Sequence, residues 1–116
     1  MSKPIVNQIG AAFIPVSDVE RARVWYCDIL GLPSDGEILF GHLYILPMNG
    51  TDIVLDSKIY SEETIYKVPP FHLNTHNIEE AYEYMKSKNV EITTGIEGNW
   101  FNFKDPDRNH LMICQC

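Results

Sequence analysis

Basic side chains are scarce in this sequence. Nine Lys and Arg stand against sixteen Asp and Glu, which leaves a net charge of −7. A protein that grips phosphate backbones needs a basic face, so no nucleic acid is expected as partner. The acidic balance suits a cationic ligand, and equally serves plain solubility. Long apolar runs are missing too. No stretch of 18 apolar residues exists, so no transmembrane helix and no membrane partner are expected. Met1-Ser2-Lys3-Pro4 lacks the apolar core of a signal peptide. Cysteine is limited to Cys27, Cys114 and Cys116, an odd number without zinc-ligand spacing. The last two stand one residue apart and point to opposite faces of a strand, which makes them poor candidates for a mutual disulfide. A reducing, cytoplasmic setting is the expectation. There is no Gly-x-Ser-x-Gly, no phosphate loop and no paired His-Glu helix. Glu79-Glu80 is a helix-start pair favoured by the helix dipole rather than an acid/base pair.

What is present fits one domain. The 116 residues are 45% hydrophobic and 22% charged, an ordinary globular balance. Gln8 to Val16 alternates as a strand, with Ala12, Ile14 and Val16 on one face and Ala11, Phe13 and Pro15 on the other. Ser17 or Asp18 then caps a helix whose apolar stripe is Val19, Ala22, Trp25, Tyr26 and Ile29. Gly31 ends it, and Pro33 prevents its continuation. Strand-like runs follow at Glu37 to Phe40, His42 to Leu46 and Asp52 to Asp56, with Asn49-Gly50 as the turn between the last two.

The polar stretch 57–68 reads as a linker. A second strand-helix pair follows, Phe71 to Thr75 and then Ile78 to Lys88, capped by Asn77 and closed by Asn89 in a left-handed conformation. Further strands are expected at Glu91 to Thr94, Asn99 to Lys104 and His110 to Cys114. The two halves, residues 7–56 and 69–116, therefore repeat β-α-β-β-β. Ser17 to Ala22 superposes on His76 to Ala81 with an offset of 59 residues. The expected architecture is α+β: two curved sheets, each with one helix-covered face and one free face, the free faces lining a cleft.

Three segments carry a resemblance: Val16-Ser17-Asp18-Val19-Glu20-Arg21-Ala22 with Trp25-Tyr26 and Leu30-Gly31-Leu32, Asn77-Ile78-Glu79-Glu80-Ala81, and Phe103-Lys104-Asp105-Pro106-Asp107-Arg108-Asn109. In these the sequence resembles the vicinal oxygen chelate superfamily, which includes glyoxalase I, bleomycin- and fosfomycin-resistance proteins and extradiol dioxygenases. It departs at Arg108, where the family usually has Gly. The resemblance implies a paired βαβββ fold, commonly a homodimer, with four metal-ligand positions on the first and last strand of each half. Carried over, these are Ala11, Val54 (to within one residue), Pro70 and Met112. Ala, Pro and Val offer no donor atom and Met is too soft for a hard divalent cation. No metal and no cofactor are therefore expected. His72 and His110 share the cleft face, but with Pro70 level with Met112 they stand roughly 13 Å apart along the sheet, at about 3.3 Å per residue, too far for one ion.

Alternation places Phe13, Tyr44, Asp52, His72, Asn74, Trp100, Asn102 and Met112 in the cleft as candidate ligand-binding residues, an aromatic wall with a few polar groups. His42 is expected on the same face or at the surface, and His76 at the surface. Each candidate has a plain alternative. Trp100 fills an empty cup or a dimer seam; His72 is a satisfied strand histidine rather than a ligand contact or base; Asp52 is a solvated turn residue rather than a counter-ion; Met112 is a flexible wall. The expectation is a metal-independent protein that sequesters an aromatic or cationic small molecule. The alternative is a lyase, isomerase or dioxygenase relative with displaced metal ligands or His72 as a metal-free base. A third reading is a degenerate subunit whose cup is filled by its own Trp100 and Met112.

Overall fold

A computed structural model describes residues 4–116. Met1, Ser2 and Lys3, the beginning of the stretch read for a leader, lie outside the described residues. Helix α1 spans Val19–Leu30 and starts where its cap dictates. The Asp18 carboxylate accepts from the backbone N–H groups of Glu20 and Arg21, which satisfies two donors that the first helical turn leaves open. Gly31 closes the helix at φ 69°, a left-handed geometry that costs a residue with a Cβ roughly 1–2 kcal/mol. Helix α2 (Ile78–Ser87) repeats the device, with the Asn77 side chain accepting from Glu80 N–H. Asn89 supplies the left-handed residue beyond it, at φ 60°.

Strands β1 (Ala11–Pro15), β2 (Leu43–Leu46) and β3 (Asp52–Asp56) form one sheet in the order β1-β3-β2. Strands β4 (His72–Asn74), β5 (Glu91–Ile92), β6 (Trp100–Lys104) and β7 (His110–Cys114) form the other, ordered β4-β7-β6-β5. In each half the first and last strands pair in parallel, β1 with β3 and β4 with β7. A helical crossover followed by an antiparallel return produces that direction. Pro15 lacks a backbone N–H, and β1 is an edge strand, where proline is tolerated.

One expected strand is missing. Glu37 to Phe40 forms only an isolated bridge, Leu39 with Leu43. Phe40 and Gly41 lie at φ 53° and 77°, so the chain reverses on itself within two residues and no ladder can extend. The first half is thus β-α-β-β plus a bridge, and the second keeps its four strands. The α+β class stands.

The core is one cluster, and it takes the helix-facing side chains of both sheets: Ile14, Leu46 and Leu55 from the first, Phe101, Phe103 and Leu111 from the second. At the seam the Tyr26 hydroxyl donates to Asp105 Oδ2 at 2.6 Å, and Asn109 Nδ2 donates to Pro15 O and to Asp105 Oδ2. The linker is fastened there as well. Tyr66 N–H donates to Asn109 Oδ1, and the Tyr66 hydroxyl donates to the Phe13 carbonyl. Arg108, which stands where the resembled family has glycine, adopts φ 72°. The loop needs a left-handed residue at that place whichever side chain occupies it.

Candidate functional site

Register fixes which side chains share the free faces, because residues directly opposite each other project to the same side. In the first sheet Phe13 pairs with Val54, and Val54 with Ile45. In the second, His72 pairs with Met112, and Met112 with Asn102. These are equivalent rows of the repeat. One is wholly apolar, Phe13-Val54-Ile45, and the other reads His72-Met112-Asn102. A neighbouring row carries Asn74, Cys114 and Trp100. Trp100, Asn102 and Met112 are half-buried while Phe101 and Phe103 are fully buried on the helix side, so alternation along β6 runs as the sequence implies.

Tyr44 stands elsewhere. It pairs with Leu55, on the helix-covered face, and is 4% exposed. Its hydroxyl accepts from the Cys27 thiol, and the Arg23 guanidinium lies over its ring. Burial raises its pKa, with Cys27 adding to the shift. Ile45 takes the place on the free face expected for Tyr44. The reversal at Phe40-Gly41 breaks the alternation before β2, so counting from Glu37 selects the wrong face, whereas counting back from Asp52 through the hairpin finds Ile45.

Phe13 and Ile45 are 46% and 45% exposed, large apolar groups flanking the buried Val54. Asp52 is half-buried at the start of β3. Asp56, at its end, is buried and accepts from Lys58 N–H, with His42 Nδ1 at 2.9 Å from the same oxygen. His42 is therefore a partner of Asp56 and not a free surface residue. His76 is exposed. Asn102 Oδ1 is buried without a hydrogen-bond partner, and an unpaired buried acceptor costs about 1–3 kcal/mol until a donor meets it.

The four positions at which the resembled family holds its metal are now fixed. Val54 opposite Phe13 is the counterpart of Met112 opposite His72, so the first-half position is Val54 without ambiguity. Ala11, Val54, Pro70 and Met112 supply no oxygen or nitrogen side-chain donor. These residues do not fit a hard divalent cation. The spacing of the two histidines needs correction. His72, not Pro70, is level with Met112, so His110 lies only two residues away, roughly 7 Å along the strands. Distance does not separate them; His110 is instead engaged by the linker, its Nδ1 lying 3.1 Å from Tyr66 O.

Two surface cavities lie away from the free faces. A cavity of about 820 Å³ lies along α1 and the Asp105–Asp107 loop, and another of about 650 Å³ lies over α2. Neither is lined by Phe13, His72, Asn102 or Met112. Both sheets contribute their helix-covered sides to one core.

The disulfide expectation is overturned. Cys114 and Cys116 are joined, with Cα atoms 5.4 Å apart, within the range a disulfide spans. Strand β7 ends at Cys114, so pleated alternation does not extend to Cys116. Gln115 N–H turns to Asn99 O, and its side chain accepts from Ile78 N–H. Among the described residues no helix is long and apolar enough to cross a membrane.

Residues 6–113 match the Glyoxalase/Bleomycin resistance protein/Dioxygenase superfamily. The chain matches no curated protein sequence. Among solved structures it is similar to a member of that superfamily from Sphaerobacter thermophilus, with 23% identity, TM-score 0.75, and 96% and 98% of the two chains covered. It is also similar to TnmS3, an antibiotic binding protein from Streptomyces sp. CB03234, at 20% identity and TM-score 0.73 over 97% and 98%. A trypanothione-dependent glyoxalase I from Leishmania major aligns at 16% identity and TM-score 0.68 over 95% and 87%. At these identities the likenesses are of fold.

Proposed function

The chain belongs to the glyoxalase/bleomycin resistance protein/dioxygenase superfamily, and from that we propose that it binds a small molecule without a catalytic metal and releases it unchanged. The donor set carries this reading. Ala, Val, Pro and Met at the four ligand positions leave metal-assisted polarisation of a substrate oxygen without an anchor. What the free faces offer instead is contact area: Phe13 and Ile45 in one half, Trp100 and Met112 in the other. His72, Asn74 and Asn102 supply the polar contacts that orient a ligand. The orphaned Asn102 acceptor calls for an N–H or O–H on the ligand, and Asp52 with the net charge of −7 favours a cation. An aromatic amine meets all three requirements. TnmS3, described as an antibiotic binding protein, is a precedent for such use of the fold.

A second copy completes the cup, the first-half face of one protomer opposing the second-half face of its partner. The exposure of Phe13 and Ile45 supports this homodimer, since apolar groups of that size are usually covered.

The test is a panel of polycyclic aromatic amines and matched carboxylates, followed by Trp100 fluorescence and calorimetry, with mass spectrometry of the recovered compound. Binding of amines, lost in Trp100→Phe and Asn102→Ala, with the compound returned intact, is the expected result. Turnover of any panel member that disappears in His72→Ala would favour the enzymatic alternative, with His72 as a base. No fluorescence response to any compound would indicate a cup filled by its own Trp100 and Met112.

A further inference from the structure

One group of side chains at the outer end of the second sheet has donor chemistry that the family positions lack. His72 on β4, Cys114 at the end of β7 and Cys116 beyond it place one ligand atom each within 4.8 Å of one another. We propose that these three residues form a redox-switched site for a thiophilic metal ion such as zinc, loaded when the cysteines are reduced and empty when they are joined.

The elements hold this cluster from three sides. His72 and Cys114 sit on neighbouring parallel strands, with Met112 level with His72 and Cys114 one pleat further on the same face. Cys116 is brought back by the tail. Gln115 N–H donates to Asn99 O at 2.7 Å, Asn99 Nδ2 donates to Gln115 O, and the Gln115 side chain accepts from the first N–H of α2. Asn99 Nδ2 also lies 3.9 Å from Cys116 Sγ as a donor, and an N–H directed at sulfur stabilises a metal-bound thiolate. A tetrahedral zinc ion with bonds of about 2.3 Å to sulfur and about 2.0 Å to nitrogen sets its donors roughly 3.5–3.8 Å apart. Reduction frees the two sulfurs, now bonded to each other, to separate to that spacing, and His72, within 4.8 Å of both, needs only a small side-chain rotation to join them. Two thiolates and one imidazole suit zinc over magnesium or calcium, and three protein ligands leave a fourth position toward the free face.

The cysteines are joined in this structure, and the disulfide has no thiolate to offer. Interconversion balances with an ordinary disulfide such as oxidised glutathione. The Cys116 thiolate attacks it, forming a mixed disulfide and releasing one glutathione thiolate. The Cys114 thiolate then attacks the Cys116 sulfur, closes the bond and releases the second. Two electrons pass from the protein to glutathione, and the ion loses both sulfur ligands. The site shares His72 with the ligand reading above but does not rest on it: it holds whether or not an amine binds, and is measured without one.

Metal-free protein, reduced with a phosphine, is titrated with zinc against a chromophoric chelator and with cobalt(II) as a spectroscopic probe. One ion per chain and a thiolate-to-cobalt charge-transfer band are expected. Affinity falls by about ten-fold or more in His72→Ala and in Cys116→Ser, and Cys27→Ser, whose thiol lies in the core, retains it. Wild-type protein oxidised with glutathione disulfide takes up no ion. The proposal is overturned if reduced wild-type protein binds no zinc, if the oxidised form binds equally, or if Cys116→Ser binds as tightly. The comparison of reduced and oxidised wild type needs no substitution, so a variant that fails to fold does not blunt the test.

Discussion

Tyr26→Phe removes one oxygen from the seam between the halves and leaves everything else in place. The ring is 2% exposed and lies edge-on to Trp25 with centroids 4.8 Å apart, contacts that phenylalanine keeps. What is lost is the 2.6 Å hydrogen bond to Asp105 Oδ2. Hydrogen bonds to charged groups contribute about 1.5–3 kcal/mol. With an unfolding entropy of about 2.1 cal/mol/K per residue, that is a fall in Tm of roughly 6–12 °C for a chain of this size. The loss depends on pH in a definite direction. Burial is the largest influence on Asp105 and raises its pKa, against the lowering effect of hydrogen bonds from Tyr26 and Asn109. A carboxyl whose folded pKa lies above its unfolded value contributes its stability in full below about 3.9, and that contribution fades as pH rises through the folded value. Deleting the Tyr26 hydroxyl removes one lowering influence and raises the folded pKa further. The deficit of the variant is therefore greatest above the folded pKa of Asp105 and shrinks on acidification. Urea unfolding of both proteins at about pH 7 and about pH 4.5 measures this. A deficit that is constant or grows in acid refutes the reasoning, as does a loss below about 0.5 kcal/mol at neutral pH.

Three further outcomes follow from named contacts. Gly36→Ala places a Cβ 2.6 Å from the Tyr44 hydroxyl oxygen and 2.8 Å from its ring, so thermal unfolding should show a loss of about 1–3 kcal/mol from overpacking. Arg108→Gly relieves the left-handed backbone at φ 72° and should raise stability by about 0.5–1 kcal/mol, the strain relieved exceeding the added chain entropy; an unchanged denaturation midpoint would contradict it. Phe13→Asp puts a charge on the first-half face and should weaken self-association by at least about 1.5–3 kcal/mol per copy, the worth of burying that ring. Light scattering across a dilution series reads it, and unchanged association would mean that the face is not covered by a second copy.

Much of the fold was legible in local chemistry. Asp18 and Asn77 at the helix starts, Gly31 and Asn89 at their ends and the strands Asp52–Asp56 and His110–Cys114 stand where caps and alternation place them. Phe101 and Phe103 turn to the core for the same reason. Tyr44 and the Glu37 to Phe40 segment were not legible, because two successive left-handed residues at Phe40 and Gly41 reset the pleat. The relation of His72 to His110 was misjudged because a pairing register is a long-range quantity that no local spacing contains.

Residue types alone settled that the four inherited ligand positions hold no hard-metal donor, since a missing electron pair is missing in any conformation. Where side chains from distant segments meet was decided only by the tertiary structure. Strand pairing set His72 level with Met112, and the tail beyond β7 brought Cys116 back to Cys114. Each of these depends on chain segments dozens of residues apart in sequence, whose relative placement is chosen by burial of the shared core rather than by local preference.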